Sequence, residues 1–310
     1  MKLVSYRLKD KEVPLRVGMV MDDMVIDLQE AYLAKYPSQG EEVDVLFPSE
    51  PTSFFKLGEP AIQVAKKLYT YVKGNADRIA AGQYSRHDVY LGTPIPEPSK
   101  IICVGRNYVE HAQEMKSDIP EYPVLFAKFA NALIGPEDNI EKTPYTEKLD
   151  YEVELTIVIG KEASKVKKED AYDYIAGYTI GNDISARDLQ KRTPQWLQGK
   201  SIDRSTPVGP WVVTTDEVGD PGKLDVRCYV NGELRQSSNT EKFIFDVPSL
   251  IEFISNLITL KPGDLIMTGT PDGVAFGMET PKFLKDGDVV SLEIEKLGRM
   301  ENRVRQAINE

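Results

Sequence analysis

Short apolar segments with the two-residue period of β-strands recur through the last two thirds of this 310-residue sequence. Turn-forming glycine, proline and aspartate residues separate them, and Asn231-Gly232 predicts a tight hairpin. Helical patterns are fewer, so the spacing predicts an α+β fold that is mostly β, with a few covering helices. The predicted strands are 124–129, 153–159, 178–182, 208–214, 224–230 and 289–295, and the predicted helices are 168–174, 186–191 and 248–257.

A proline-rich segment divides the predicted elements into two groups. Three prolines occur within residues 94–98, a density that disfavours both helix and central strand. Before it, weak alternation predicts short strands at 3–8, 15–20 and 24–28, and apolar spacing predicts a helix over 60–81. After it, the apolar run Ile101-Ile-Cys-Val104 predicts the first strand of a new unit. We therefore expect a small β-rich accessory domain at 1–95 and a larger domain at 96–310.

Composition limits the classes of partner. The net charge is −11 and no concentrated Lys/Arg cluster occurs, which argues against a nucleic-acid partner. No stretch approaches the roughly 20 apolar residues that span a bilayer, and the N-terminus lacks an extended apolar signal region. Two cysteines are too few for a disulfide framework or a Cys-rich zinc site. We expect a globular protein in the cytoplasm that acts on a small molecule and binds no membrane.

Three acidic residues follow or occupy predicted strands. Glu152 and Glu154 are two residues apart in a strand pattern, so their side chains share one face, with backbones about 6–7 Å apart. Asp183 stands where another predicted strand ends and a helix begins. Three carboxylates with added water suit Mg²⁺ or Mn²⁺. The same spacings also fit the polar face of an edge strand and a helix N-cap.

Two further pairs have helical spacing. His111 and Glu114 lie three residues apart, so a helical turn would let the carboxylate orient the imidazole as a general base. A surface histidine beside a chance glutamate has the same spacing. Arg187 and Gln190 share a helical face and could bind a substrate carboxylate or hydroxyl. The Thr/Gly-rich segment 267–274 could present hydroxyl and N–H groups to a ligand, or form an ordinary turn.

Five short motifs occur in a fixed order along the chain: Gly105-Arg-Asn-Tyr-x-x-His111, Leu149-Asp-Tyr-Glu-x-Glu-Leu155, Asn182-Asp-Ile-Ser-Ala-Arg-Asp-x-Gln190, Gly199-Lys200 and Thr268-Gly-Thr-Pro-x-Gly-Val274. Together they resemble the fumarylacetoacetate hydrolase family over about residues 100–298. The resemblance implies a catalytic core of mixed strands rolled around the site. In the sequence, this core follows the small β-rich N-terminal domain. It also implies a homodimer.

The resemblance assigns roles to individual residues. It implies that Glu152, Glu154 and Asp183 bind Mg²⁺ or Mn²⁺. It implies that His111 and Glu114 form a His–Glu dyad on a lid, and that Lys200 takes part in catalysis. The residues expected to contact substrate are Arg106, Tyr108, Arg187, Gln190 and Thr270.

One departure from the family pattern narrows the expected chemistry. Fumarylacetoacetate hydrolases proper have a fourth acidic ligand shortly before the catalytic histidine, and residues 102–108 contain no acid. Three carboxylates plus water, and a substrate other than fumarylacetoacetate, are therefore implied. We expect metal-dependent cleavage of a carbon–carbon bond in a small 2-oxo acid through a cation-stabilised enolate, as in acylpyruvate hydrolysis or oxaloacetate decarboxylation. The alternatives are an isomerase or hydratase of a 2-hydroxydienoate of the hydroxymuconate type, and a non-catalytic metabolite-binding protein.

Overall fold

A large mixed sheet forms the framework of the protein, whose computed structural model describes residues 1–75 and 81–307. Its strands are β1 (Lys2–Leu8), β2 (Arg16–Met21), β3 (Met24–Asp27), β4 (Gln83–Ser85), β5 (Val89–Gly92), β6 (Ile101–Gly105), β7 (Val124–Lys128), β8 (Leu133–Ile134), β11 (Val153–Ile159), β12 (Ile175–Asn182), β14 (Thr206–Thr214) and β17 (Leu265–Met267). The strand order is β4-β3-β2-β1-β14-β12-β11-β17-β6-β7, with β5 on β1 and β8 on β14.

Two smaller sheets complete the β structure. The first has the order β16-β15-β18-β19-β9, and the second pairs β10 with β13. The turn between β15 and β16 has positive φ at Asn231 (51°) and Gly232 (80°), as a type I′ hairpin requires, so the predicted hairpin is confirmed. The strands are β9 (Ile140–Lys142), β10 (Leu149–Asp150), β13 (Ser185–Ala186), β15 (Asp225–Val230), β16 (Glu233–Asn239), β18 (Val289–Ile294) and β19 (Gly298–Gln306).

Most helices are short and lie in the connections between strands. The longer two are amphipathic, and the first turn of α9 is capped by Asp246, whose carboxylate accepts from the Ser249 N–H. The α-helices are α1 (Leu28–Lys35), α2 (Val43–Leu46), α3 (Pro51–Lys56), α4 (Glu59–Gly74), α5 (Val109–Glu114), α6 (Arg187–Gln190), α7 (Leu197–Lys200), α8 (Thr215–Val218) and α9 (Val247–Leu257). In the described part of the chain, none of them has the length and apolar character needed to cross a membrane.

The predicted elements agree with the structure apart from helix type and length. The predicted helix at 168–174 is a 3-10 helix, and the one at 186–191 is a single α-turn, Arg187–Gln190. The predicted helix over 60–81 forms α4 and ends at Gly74, and its residues 76–80 lie outside the described residues. The mostly β, mixed-sheet fold class is confirmed.

The N-terminal strands extend the same sheet that contains the predicted site. β1 pairs antiparallel with β14, and a single apolar cluster includes Leu3 of β1 and Val212 of β14. The division proposed at residue 95 falls in the irregular segment between β5 and β6. It stays a prediction.

Strand β11 lies in the middle of this sheet, between β12 and β17, and all seven of its residues are buried. Apolar side chains cover one face. On the other face, Glu154 and Thr156 are buried as well. An acidic side chain at such a position needs compensating charge or a bound cation. The end of β11 where Glu154 lies is therefore a candidate site for a cation.

Candidate metal centre and active site

The pairing of β11 with β12 brings the three predicted acids together. Val153 is opposite Asn182, and the Asp183 N–H donates to the Glu152 carbonyl at 2.9 Å. Glu152, Glu154 and Asp183 each offer a carboxylate oxygen, and these oxygens lie within 4.8 Å of one another. Each residue is at most 4% exposed. The sequence places the two glutamates on one strand, and the antiparallel register adds the aspartate.

Two buried lysines contact this acidic cluster. The Lys200 ammonium lies 2.8 Å from Glu152 Oε2 and 2.6 Å from Asp183 Oδ2. Lys128, at the end of β7, donates to Asp183 Oδ1 at 2.8 Å and to the Ile184 carbonyl at 3.1 Å. Lys200 therefore contacts two of the three acids, and Lys128 fixes the rotamer of Asp183.

Arg187 connects the cluster to a fourth buried acid, Asp150. Its Nε donates to Asp150 Oδ2 at 2.8 Å, and its Nη2 forms an ion pair with Glu152 Oε1 at 2.7 Å without good hydrogen-bond geometry. Asp150 also accepts from the N–H groups of Ala275 (2.8 Å) and Phe276 (3.0 Å). These contacts hold the residues that directly follow the predicted Thr/Gly-rich segment 267–274 against Asp150.

The glutamates differ in their ionisation. Burial alone would raise the pKa of Glu152, but Lys200 and Arg187 more than offset it, so the pKa lies below its usual range. Burial raises the pKa of Glu154 well above its usual range, and the charges of Asp183 and Glu152 add to the rise. A divalent cation among these oxygens would offset the repulsion. The donor set, three carboxylates and no sulfur or imidazole, fits Mg²⁺ or Mn²⁺.

The predicted His–Glu pair lies on α5, beside the acidic cluster. His111 Nδ1 is 3.2 Å from Glu114 Oε2, and Glu114 Oε1 accepts from the Gly273 N–H at 3.0 Å. Asn107 anchors the start of this segment, because its amide donates to the Thr268 carbonyl at 2.8 Å and its Oδ1 accepts from the Phe245 N–H at 2.8 Å. Helix α5 is thus docked on the same loop that Asp150 holds.

A pocket of about 200 Å³ lies between α5 and the acidic cluster, a volume suited to a small metabolite. Its described wall includes most of the residues predicted from the sequence. Tyr108, Glu114 and Asp183 are not on that wall. Tyr108 is 1% exposed, and its ring packs edge-on against that of Phe243 with 4.9 Å between the ring centres. The lining residues that were predicted are Arg106, His111, Glu152, Glu154, Arg187, Gln190, Lys200 and Thr270.

Three residues that sequence reasoning missed help to shape the site. Lys128 is a lone lysine at the end of an apolar strand, a signal that could have indicated a buried charge. Asp150 lies inside the motif already noted around Glu152. Lys191 lines the pocket one residue beyond Gln190, and its position follows only from the fold.

The comparisons with known proteins agree with the fold and identify the family. Residues 100–305 match the family described as Fumarylacetoacetate (FAA) hydrolase C-terminal. The chain is 41% identical over 310 residues to "Oxaloacetate tautomerase fahd2, mitochondrial" of Xenopus laevis, covering 98% of this chain and 90% of the relative. It is 42% identical over 293 residues to "Oxaloacetate tautomerase YisK" of Bacillus subtilis, covering 93% and 95%.

Among solved structures, the maleylpyruvate hydrolase of Sphingobium sp. SYK-6, in complex with manganese(II) and pyruvate, superimposes with a TM-score of 0.77. It is 30% identical, and the match covers 99% of this chain and 100% of that one. The family model matches about two thirds of the chain, and the relatives and the solved structure match nearly all of it. The chain is therefore an enzyme of the fumarylacetoacetate hydrolase family.

Proposed function

We propose that this protein is a Mg²⁺- or Mn²⁺-dependent enzyme that interconverts the keto and enol forms of a small 2-oxo acid, with oxaloacetate as the preferred candidate. The observation that carries the proposal is the placement of a His–Glu dyad across a small pocket from three converging carboxylates. A general base and a cation site that face each other are what proton transfer next to a carbonyl requires. The relatives named oxaloacetate tautomerase support the choice of reaction.

His111 moves the proton in this proposal. Its Nδ1 is engaged by Glu114, which leaves Nε2 as the nitrogen available to substrate. His111 takes a proton from the carbon next to the 2-oxo group and returns it to the oxygen, so the reaction involves no net oxidation or reduction. The Glu114 carboxylate stabilises the protonated imidazole during the transfer.

The acidic cluster, together with the cations that contact it, binds the end of the substrate that carries the first carboxylate and the 2-oxo group. Glu152, Glu154 and Asp183 would hold the divalent cation, which when bound supplies Lewis-acid stabilisation of negative charge on substrate oxygens. Lys200 and Arg187 hold Glu152 in place and add positive charge beside the site. Helix α5 contributes His111 to the wall of the pocket, which limits the access of water to the reacting atoms.

A second candidate is carbon–carbon bond cleavage, which the maleylpyruvate hydrolase structure favours. In a hydrolysis, His111 would take its proton from water, which then attacks the distal carbonyl so that pyruvate leaves as its enolate. The same residues serve both reactions. Whether the carbon skeleton breaks distinguishes them.

The experiment uses protein stripped with EDTA, checked by metal analysis, and reloaded with Mg²⁺ or Mn²⁺. Decay of enol absorbance and exchange of the C3 protons of oxaloacetate in D₂O are followed, with NMR detection of pyruvate. Accelerated, metal-dependent ketonisation without pyruvate supports the tautomerase. Metal-dependent pyruvate release from oxaloacetate or an acylpyruvate supports cleavage. A full rate in the stripped protein, or no acceleration of either reaction, contradicts the proposal.

A further inference from the structure

The cations around the pocket form two groups that differ in their partners. An inner group contacts carboxylates at 2.6–2.8 Å, and consists of Lys128, Arg187 and Lys200. The carboxylates in the inner region are Asp150, Glu152, Glu154 and Asp183. When all are ionised, four negative and three positive charges leave −1. A divalent cation changes this to +1, which a single substrate carboxylate neutralises.

The outer group consists of Arg106 and Lys191, which line the same pocket. Neither forms an ion pair with any acid in the described parts of the chain. Both are held instead by aromatic faces: the Arg106 guanidinium lies 5.9 Å from the Trp196 ring centre, and the Lys191 ammonium lies 3.8 Å from that of Phe276. Two positive charges on the outer pocket therefore have no anion to neutralise them.

The surroundings of Lys191 add to this excess of positive charge. Burial lowers the pKa of Lys191, and the positive charges of Arg187 and Lys148 lower it further. No carboxylate acts in the opposite direction. This outer region is therefore electropositive, and an incoming anion would be attracted to it.

The backbone conformation of Arg106 sets the direction in which its Cα–Cβ bond points. Its φ is 58°, in the left-handed region that non-glycine residues rarely adopt. The next residue, Asn107, is bonded through its side chain to Phe245 and Thr268, so the surrounding structure determines this conformation. An arginine whose backbone is held in this way has its Cα and Cβ at a defined place on the pocket wall.

We propose that Arg106 and Lys191 bind a second carboxylate of the substrate, so that the enzyme selects 2-oxo acids with a distal carboxylate over those without one. The inference rests on the proposed function, since it takes the first carboxylate and the 2-oxo group to lie at the acidic cluster. Oxaloacetate has this arrangement, because one methylene group separates its second carboxylate from the 2-oxo carbon. Pyruvate and 2-oxobutanoate have no distal charge.

Binding is measured first, because it does not depend on turnover. The sequence has two tryptophans, and Trp211→Phe leaves only Trp196, which lies beneath Arg106. The fluorescence of Trp196 then reports ligand binding. Metal-loaded protein is titrated with oxaloacetate and with pyruvate. In this background, Arg106→Met and Lys191→Met should each raise the Kd for oxaloacetate about 10-fold or more, and that for pyruvate less than about twofold. Arg106→Lys should retain most of the affinity.

Kinetics provides the second readout. Arg106→Met should raise the KM for oxaloacetate with little change in kcat, and leave kcat/KM for 2-oxobutanoate unchanged. Arg192→Met is the matched control, since Arg192 is exposed like its neighbour Lys191 but is not on the described pocket wall. It should change neither ligand's affinity.

Equal effects of Arg106→Met and Lys191→Met on both ligands, or no effect on either, would overturn the inference. If the wild-type protein transforms no 2-oxo acid but the binding titration still separates oxaloacetate from pyruvate, the proposed function fails and the second-carboxylate site stands. The two proposals can therefore fail separately.

Discussion

The ammonium of Lys128 lies 2.8 Å from Oδ1 of Asp183, and both side chains are fully enclosed. Lys128→Met would leave a buried carboxylate without this partner, so we expect a loss of about 3–5 kcal/mol in the free energy of unfolding of the metal-free protein. Urea denaturation measures it. Adding Asp183→Asn to Lys128→Met removes the buried carboxylate that then has Lys200 as its remaining cation partner, and should restore much of the loss. A cost below about 1 kcal/mol for the single substitution would contradict the importance of this ion pair.

The dyad on α5 should control the chemical step. His111→Gln should lower kcat about 10²–10⁴-fold, because the general base is lost. The metal affinity should stay unchanged, since His111 is not among the converging carboxylates. Glu110→Gln is the control on the same helix, where Glu110 forms an exposed ion pair with Lys242. Wild-type turnover in His111→Gln would exclude the dyad from the mechanism.

Gly277 leaves the space that the Glu114 carboxyl occupies. A Cβ at this position would lie 2.2 Å from the Glu114 carboxyl carbon and 2.4 Å from its Oε1. Gly277→Ala should therefore displace Glu114 and lower kcat at least about 10-fold, with little change in unfolding free energy, because a misplaced group near the chemistry is costly to rate. Gly74→Ala, where the new Cβ would meet no described atom within 4 Å beyond its chain neighbours and its own helix backbone, should leave kcat unchanged. Equal kcat values for the two variants would contradict this geometry.

Metal binding should stabilise the fold. At a free Mg²⁺ or Mn²⁺ concentration 100 times the Kd, the free energy of unfolding should rise by about 2.7 kcal/mol. Glu154→Gln removes one of the three proposed ligands and should abolish most of this rise. Thermal unfolding with EDTA and with added metal measures both. Glu162→Gln, an exposed position beyond the end of β11, should keep the full response. An unchanged response in Glu154→Gln would remove that residue from the metal site.

Asp188 should make stability depend on pH. It accepts from Thr146 Oγ1 (2.5 Å) and from the Glu147 N–H (3.0 Å). Burial alone would raise the pKa of Asp188, but these hydrogen bonds more than offset it, so the folded pKa lies below its usual range. The stabilisation is therefore present above the unfolded pKa of about 3.9 and is lost as pH falls through the lowered folded pKa.

Asp188→Asn tests this sign. The substitution should lower the unfolding free energy by about 1 kcal/mol at pH 7, and the difference from wild type should shrink below about pH 3. Urea denaturation across this range measures it. If the unfolding free energies of Asp188→Asn and the wild type differ by the same amount at pH 7 and below about pH 3, the ionised carboxylate has no role in stability.

The sequence predicts local features of this protein well. The strand around Glu152 and Glu154 is predictable because alternation specifies which side chains share a face. The contact of Lys128 with Asp183 is not predictable in this way, because 55 residues separate them and the contact depends on how distant strands are ordered in the sheet. Lys191 is similar, since its place on the pocket wall depends on α6 packing. Homodimer formation and a cytoplasmic location stay predictions, because neither follows from the fold of one chain.

The match to the family begins at residue 100, but the large sheet also contains strands that precede this residue. β1 supplies the neighbour of β14, with Lys2 opposite Val213 and Leu3 opposite Val212. A fragment made from the matched region alone would expose the bare backbone edge of β14 together with apolar surface, the combination that promotes strand addition between molecules. Residues of β1 therefore cover an edge of β14 that would otherwise be open to strand addition.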